Sequence, residues 1–176
     1  ALAYHRTHGL DVVVTRCSNH YGPYQFPEKV IPLFVTNAID DIPVPLYGDG
    51  LNERDWLHVD DHCRAVDLLL ERGQPGETYN IGGGNELPNV ELTRRILGHL
   101  GKPESLIRRV TDRPGHDRRY SLDCSKLEAL GWAPQVPFAE GLQRTVEWYR
   151  QNEGWWRPIK ESSPAFREHY QRHYKS

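Results

Sequence analysis

The sequence lacks most of the features that assign a protein's class at a glance. Its three cysteines, Cys17, Cys63 and Cys124, are odd in number, far apart and without a CxxC pair. That argues against a disulfide framework and for a reducing cytoplasm. No apolar run approaches the ~20 residues needed to cross a bilayer, and no signal peptide is visible. The formal net charge is only −2, with acids and bases mixed along the chain, so there is no electrostatic footprint for nucleic acid or an anionic membrane. Repeats and low-complexity stretches are absent. So are a P-loop, a GxGxxG and the GxSxG of a nucleophile elbow, and Cys17, at a strand end without a base in sequence reach, reads as a small core residue. An initiator methionine is missing as well. The chain opens "ALAYHRTHGL" already in helical pattern, with Gly9 as the stop, and the expectation is that Ala1 is a cut point in a longer protein.

What is present suits a globular protein. Hydrophobic residues make up 38% and charged residues 26% of 176, enough for one domain with a core or for a piece of a larger one. Short β-branched runs alternate with amphipathic segments. "DVVVTRC" predicts a buried strand, "SNHYGPYQFPEK" a loop and "VIPLFVTNAIDD" a helix with Pro32 in its first turn. "VPLYG" and "RDWLHV" predict a strand and a returning strand about a Gly48-Asp49-Gly50 turn. Asp60 or Asp61 is the expected cap of a helix through "HCRAVDLLLERG". "ETYNIGG" and "IRRV" read as strands. "PNVELTRRILGHLG" reads as a helix facing the core with Val90, Leu92, Ile96, Leu97 and Leu100. "SKLEALGW" is a short helix, and "PFAEGLQRTVEWYRQNEGWW" a longer one with Leu142, Val146 and Tyr149 on one face. Residues 157–176 show weak periodicity and are expected to wrap the surface or fray. The alternation defines an α/β protein, in which ligands sit on loops after strands.

Four such loops carry the polar residues: "CSNHYGPYQFPEK", "LYGDGLNERD", "GGGNELPN" and "TDRPGHDRRY". In "HVDDH", His58 lies in a strand and His62 at a helix start, so the two would not share a face, and no metal site is expected. "IGGGNE" reads as a strand-to-helix turn that places Asn89 near a helix start. Arg54 and Arg113 are more pointed. A guanidinium is a planar fork of donors matched to two phosphate oxygens, and with Asn19, Lys29, Asn89 and His116 it would suit a diphosphate. The alternative, surface pairing of the arginines with Asp55, Asp112 and Asp117, stays open at this level.

Taken in order, "TRCSNHYGPYQFPEKVIPLF", "VPLYGDGLNERDWLHVDDHCRA", "GETYNIGGGNELPN" and "DRPGHDRRYSLD" resemble the C-terminal half of the dTDP-glucose 4,6-dehydratase family. That family belongs to the nucleotide-sugar group of the extended short-chain dehydrogenase/reductases. The likeness covers residues 1–156; "RPGHDRRY" and "WYRQNEGWW" point to the dehydratases, whereas "YGDGxxxRDWxxVDD" is shared with nucleotide-sugar epimerases and decarboxylases. The resemblance implies the C-terminal strands of an NAD(P)-binding Rossmann-like sheet interleaved with a nucleotide-sugar-binding lobe over 1–156, followed by a tail at 157–176. It implies NAD as cofactor, dTDP-glucose as substrate, a 4-keto-6-deoxy sugar and water as products, and a homodimer. Other group members, or a non-catalytic nucleotide-sugar-binding module, are the alternatives. On this basis Asn19, Lys29, Val30, Pro45, Leu46, Tyr47, Arg54, Asn89 and the run Asp112, Arg113, Pro114, Gly115 and His116 are expected to bind substrate. His20 stands where the family usually has a cofactor-touching Asn, and is the expected cofactor contact. The glycine-rich NAD loop, the catalytic Asp-Glu pair and the Tyr-x-x-x-Lys of the family all precede the point matching Ala1, so no catalytic side chain is expected in this chain.

Overall fold

The computed structural model describes residues 1–174. Helix α1 (Leu2–His8) ends as expected at Gly9, which takes a left-handed φ of 66° and donates its N–H to the His5 carbonyl. Strand β1 (Val14–Cys17) pairs in parallel with β5 (Thr78–Ile81). Between them run β2 (Asn19–Tyr21), α2 (Val30–Ile39), β3 (Val44–Tyr47), β4 (Glu53–His58) and α3 (Val59–Arg72). After β5 come β6 (Glu86–Pro88), α4 (Asn89–Leu100), a 3-10 turn at Glu104–Leu106 and β7 (Ile107–Val110), then α5 (Ser125–Glu128), α6 (Phe138–Gln151), α7 (Glu153–Ser162) and α8 (Pro164–Tyr174). The architecture is mixed α/β with parallel pairing in each of its three small sheets, as the alternation predicts.

Several expectations are corrected. β3 and β4 are not a hairpin. β3 pairs in parallel with β7, while β4 lies between parallel β2 and antiparallel β6. The Gly48 N–H continues the β3–β7 ladder by bonding the Val110 carbonyl at 2.9 Å, which directs the turn away from a return along β3. β2 and β6, read as loops, are short strands because they dock on the two edges of β4. β1 is not buried: Val14 is half-buried and Thr15 to Cys17 are exposed, since its one partner among the described residues is β5. Cys17 is accordingly a surface thiol and not a core residue. The cap of α3 is His58, whose Nδ1 accepts from the Asp60 N–H at 3.3 Å. Asp61 is buried instead and accepts from the Gln135 and Val136 N–H groups at 2.7 and 3.1 Å, holding the segment before α6. The long helix expected to run to Trp156 breaks at Asn152 (φ −118°, ψ 40°). α7 therefore crosses the 156/157 boundary. The segment expected to fray is helical through Tyr174, with Phe166 and Tyr174 in the main core; its last two residues lie outside the described residues.

That core is built on α2, buried from Ile31 to Ala38 and so apolar around most of its circumference. α4 and α6 pack on it through Leu92, Ile96, Leu97, Leu142, Val146 and Tyr149, the expected faces. A second cluster joins Leu57, Ala65, Leu69, Tyr79, Ile81, Leu127 and Trp132 between α3, β5 and α5. The β5–β6 connection is held by Asp55, 3% exposed, whose carboxylate accepts from the N–H groups of Gly83 and Asn85 at 2.9 and 2.8 Å. Gly83 is required there: a Cβ would stand 2.1 Å from the Trp56 carbonyl oxygen.

Gly83→Ala should therefore destabilise the protein by about 2–4 kcal/mol, because backbone must move. Gly98→Ala, exposed in α4 with open space around it, should stabilise by roughly 0.5–1 kcal/mol. Urea titrations check both. A second test is set by Lys160 of α7, whose Nζ donates to Asn37 Oδ1 at 3.0 Å and whose pKa burial lowers to about 8, against the opposing pull of Asp40. The unfolded chain, with an ordinary lysine, binds more protons than the native state above pH 8. Stability of the wild type relative to Lys160→Met should thus rise by about 2 kcal/mol between pH 8 and ~10, and denaturation at a series of pH values measures it.

Candidate functional site

Residue alternation along β4 puts Arg54 and Trp56 on one face and Asp55 on the other. The β2–β4 register sets Asn19 opposite Trp56, and the β3–β7 register sets Tyr47 opposite Val110, so the loop after β7 leaves beside Tyr47. The Gly48-Asp49-Gly50 turn is tied down by Asp49, which accepts from the Leu51 N–H at 2.9 Å and from Arg118 at 3.0 Å through each oxygen. It in turn fixes the start of α4: the Asn89 N–H bonds the Asn52 carbonyl and the Val90 N–H the Gly50 carbonyl.

These elements enclose a cavity of about 150 Å³. Of the substrate-binding residues expected from the sequence, Asn19, Val30, Pro45, Leu46, Tyr47, Arg54, Asn89, Arg113 and His116 line it. Lys29, Asp112, Pro114 and Gly115 do not. Lys29 is exposed and paired with Glu28 at 3.0 Å at the start of α2. Asp112 accepts from His116 Nδ1 at 2.6 Å, and Gly115 (φ 65°) makes the turn between them. Three lining residues were not anticipated. Phe34 lies one helical turn from Val30 and Trp56 two residues along β4 from Arg54, spacings that could have revealed them. Nothing in the sequence marks Tyr174, which α8 brings to within 5.4 Å of Tyr47, ring centroid to centroid. A larger cavity of about 500 Å³ lies against α3 and residues 11–15; it contains none of the expected residues, and its wall is mainly aliphatic.

The electrostatics bear on the surface-pairing reading of the arginines. Arg54 is 6% exposed, donates to the backbone carbonyls of Glu53 and Asp117 at 2.6 and 2.9 Å, and stacks on Tyr120 at 4.5 Å. Burial depresses its pKa, Arg113 nearby adds to the depression, and Tyr120 and the acids oppose it. Among the described residues no carboxylate forms an ion pair with either arginine. The acids that could have done so are engaged elsewhere: Asp55 by the glycine loop, Asp112 by His116, Asp117 by the Tyr120 hydroxyl at 2.7 Å. Two guanidiniums thus share a concave wall whose lining holds no carboxylate, with Asp112 and Asp117 acting on Arg54 only from outside it. Trp56 Nε1 and Asn89 Oδ1, from the same wall, are buried without a partner among the described residues.

Asn19 also lines a second, more open cavity of about 360 Å³ with Cys17, Ser18, Tyr120, Ser121 and Leu122. His20 is not in either lining. It packs against His62 with the rings tilted and their centroids 4.1 Å apart, and burial together with His62 lowers its pKa to about 4. It is therefore neutral at pH 7, and its Nε2 is buried without a partner among the described residues.

Residues 1–145 match the family model described as GDP-mannose 4,6 dehydratase, and the chain belongs to that family. Within it, the chain is similar to proteins named dTDP-glucose 4,6-dehydratase. It is 62% identical to that of Streptomyces antibioticus over 91% of this chain and 48% of the relative, and 50% identical to that of Escherichia coli over 93% and 48%. The structure of DesIV, a dTDP-glucose 4,6-dehydratase from Streptomyces venezuelae with NAD and TYD bound, superposes with a TM-score of 0.89 at 62% identity, over 90% of this chain and 50% of that one. A UDP-glucose 4-epimerase from Thermotoga maritima, with UDP-glucose, superposes with a TM-score of 0.81 at 33% identity, over 86% and 50%. The fold is accordingly part of a Rossmann-like extended short-chain dehydrogenase/reductase. The chain spans about half the length of the curated relatives it matches. No helix of the described residues is long and apolar enough to cross a membrane.

Proposed function

We propose that this chain supplies the substrate-binding half of an NAD-dependent dTDP-glucose 4,6-dehydratase, a hydro-lyase converting dTDP-glucose to dTDP-4-keto-6-deoxyglucose and water. The observation that carries the reading is the pair Arg54 and Arg113 on one cavity wall, both without a carboxylate partner among the described residues. Their charges in a partly desolvated site favour a ligand with at least two negative charges, and bidentate guanidinium bonds match a diphosphate. Asn19 and Asn89 add neutral donors. Pro45, Leu46 and Tyr47, with Val30 and Phe34, form the apolar side against which a pyrimidine base would lie. His116, held by Asp112, closes the same wall.

In this reading the second cavity, reached past Asn19, takes the sugar. NAD supplies hydride storage in the reaction, and His20 is the residue of this chain suited to hold it: a neutral imidazole has one N–H donor and one acceptor, and a buried ring nitrogen here lacks a partner. The chain's own side chains bind and orient the nucleotide and exclude water. Among the described residues none is placed here as the acid or base of elimination. Lys29, Pro114 and Gly115 stand outside the cavity lining, and in this reading they contribute through loop position. The higher identity to the dehydratases than to the epimerase supports the dehydratase assignment within the group. The reading extends to a homodimer, and to a reducing cytoplasm, the latter supported by the three separate free thiols.

Arg54→Lys should weaken dTDP binding to the full-length protein by about 10–100-fold despite the retained charge, since lysine cannot make the planar pair. Unchanged affinity by calorimetry would refute the diphosphate assignment. The 176-residue chain by itself should give no 4-keto-6-deoxy sugar from dTDP-glucose and NAD, because elimination needs acid–base groups and bound cofactor together. Turnover above background would place catalysis within these residues.

A further inference from the structure

Where β1 ends, three donors from three elements converge. The parallel β2–β4 pairing sets His20 opposite Leu57, and β4 runs straight into α3, so the first turn of α3 delivers His62 over β2. Cys17, the last residue of β1, lies alongside. One ligand atom from each of Cys17, His20 and His62 falls within 4.8 Å of the others. We propose that Cys17, His20 and His62 form a binding site for a thiophilic divalent cation of the Zn²⁺ class.

Bond lengths to zinc of ~2.0 Å for imidazole nitrogen and ~2.3 Å for thiolate place tetrahedral ligands roughly 3.3–3.8 Å apart. The observed spacing therefore needs only side-chain rotation to close. A second observation points the same way. His20 Nε2 and His62 Nδ1 are buried and have no hydrogen-bond partner among the described residues, an arrangement that a lone-pair acceptor such as a metal relieves. Cys17 is exposed among the described residues. On binding, the thiol S–H bond breaks, its proton passes to water and the sulfur pair bonds the metal, leaving the fourth position to solvent. His58, the histidine that the HVDDH spacing offers, takes no part: its ring is turned to the Asp60 N–H and packs on Tyr21. Imidazole and thiolate ligands select Zn²⁺ or Co²⁺ over Mg²⁺ or Ca²⁺. Because His20 is also the proposed cofactor contact, cation and NAD would compete for it, but the site itself does not rest on that reading.

The test is titration of the metal-free, full-length protein with Co²⁺, read by absorption. One equivalent per chain should bring up a thiolate-to-metal charge-transfer band in the near ultraviolet and tetrahedral d–d bands in the visible. Cys17→Ser should abolish the charge-transfer band, and His20→Asn or His62→Gln should each weaken binding by about 100-fold, with circular dichroism unchanged. A wild-type titration without the charge-transfer band, or a band that survives Cys17→Ser, overturns the proposal.

Discussion

A single buried carboxylate organises the region around the site. Asp55 sits in the middle of β4, and its two oxygens receive the N–H groups of Gly83 and Asn85. A carboxylate out of water is tolerable only when its lone pairs are met, and two backbone amides meet them here. The bonds pull the turn after β5 against β4 so closely that only glycine fits at position 83. That turn leads into β6, whose antiparallel register sets Leu87 opposite Arg54, and β6 leads directly into α4 and Asn89. The far face of β4 thereby positions residues that line the near face.

The near face carries the opposite problem. Arg54 is as buried as Asp55 is, yet its protein partners are two carbonyls and an aromatic ring rather than a counter-charge. Placing it beside Arg113 without an acid is unfavourable for the folded chain alone and favourable once an anion arrives. The three nearby aspartates spend their hydrogen bonds on other donors, so none of them forms a direct ion pair with the arginines among the described residues. Under the proposed function, affinity for a diphosphate would be gained at the expense of folding stability, a trade expected at functional sites.

β1 is where the chain departs most from its own pattern. Its β-branched sequence is that of a strand covered on both faces, as in parallel sheets, yet three of its four residues are exposed and it has one partner among the described residues. The same end of the molecule presents Cys17, His20 and His62. Sequence alone placed these three on separate stretches with no shared spacing, and only the passage of β4 into α3 beside β2 brings them together.

Much of the site was legible beforehand because its chemistry is carried by side chains of distinctive type on short loops. Arginine forks, an asparagine at a strand end and a glycine turn announce themselves, and the quoted motifs supplied the order. The helical faces of α4 and α6 were equally readable, since burial follows a fixed 3.6-residue period whatever the neighbours. Tertiary structure decided the rest. Whether β3 returned along β4 depended on which partner offered carbonyls to the turn, and that partner, β7, lies some 60 residues on. Whether Asp55, Asp112 and Asp117 would pair with the arginines depended on competing donors at Gly83, His116 and Tyr120, and which donor each acid takes is not written in the spacing of the motifs. Tyr174 entered the cavity because α8 packs on the core through Phe166. Local periodicity is written in adjacent residues, whereas strand partners and the allocation of hydrogen bonds are settled between residues that meet only after the chain has folded.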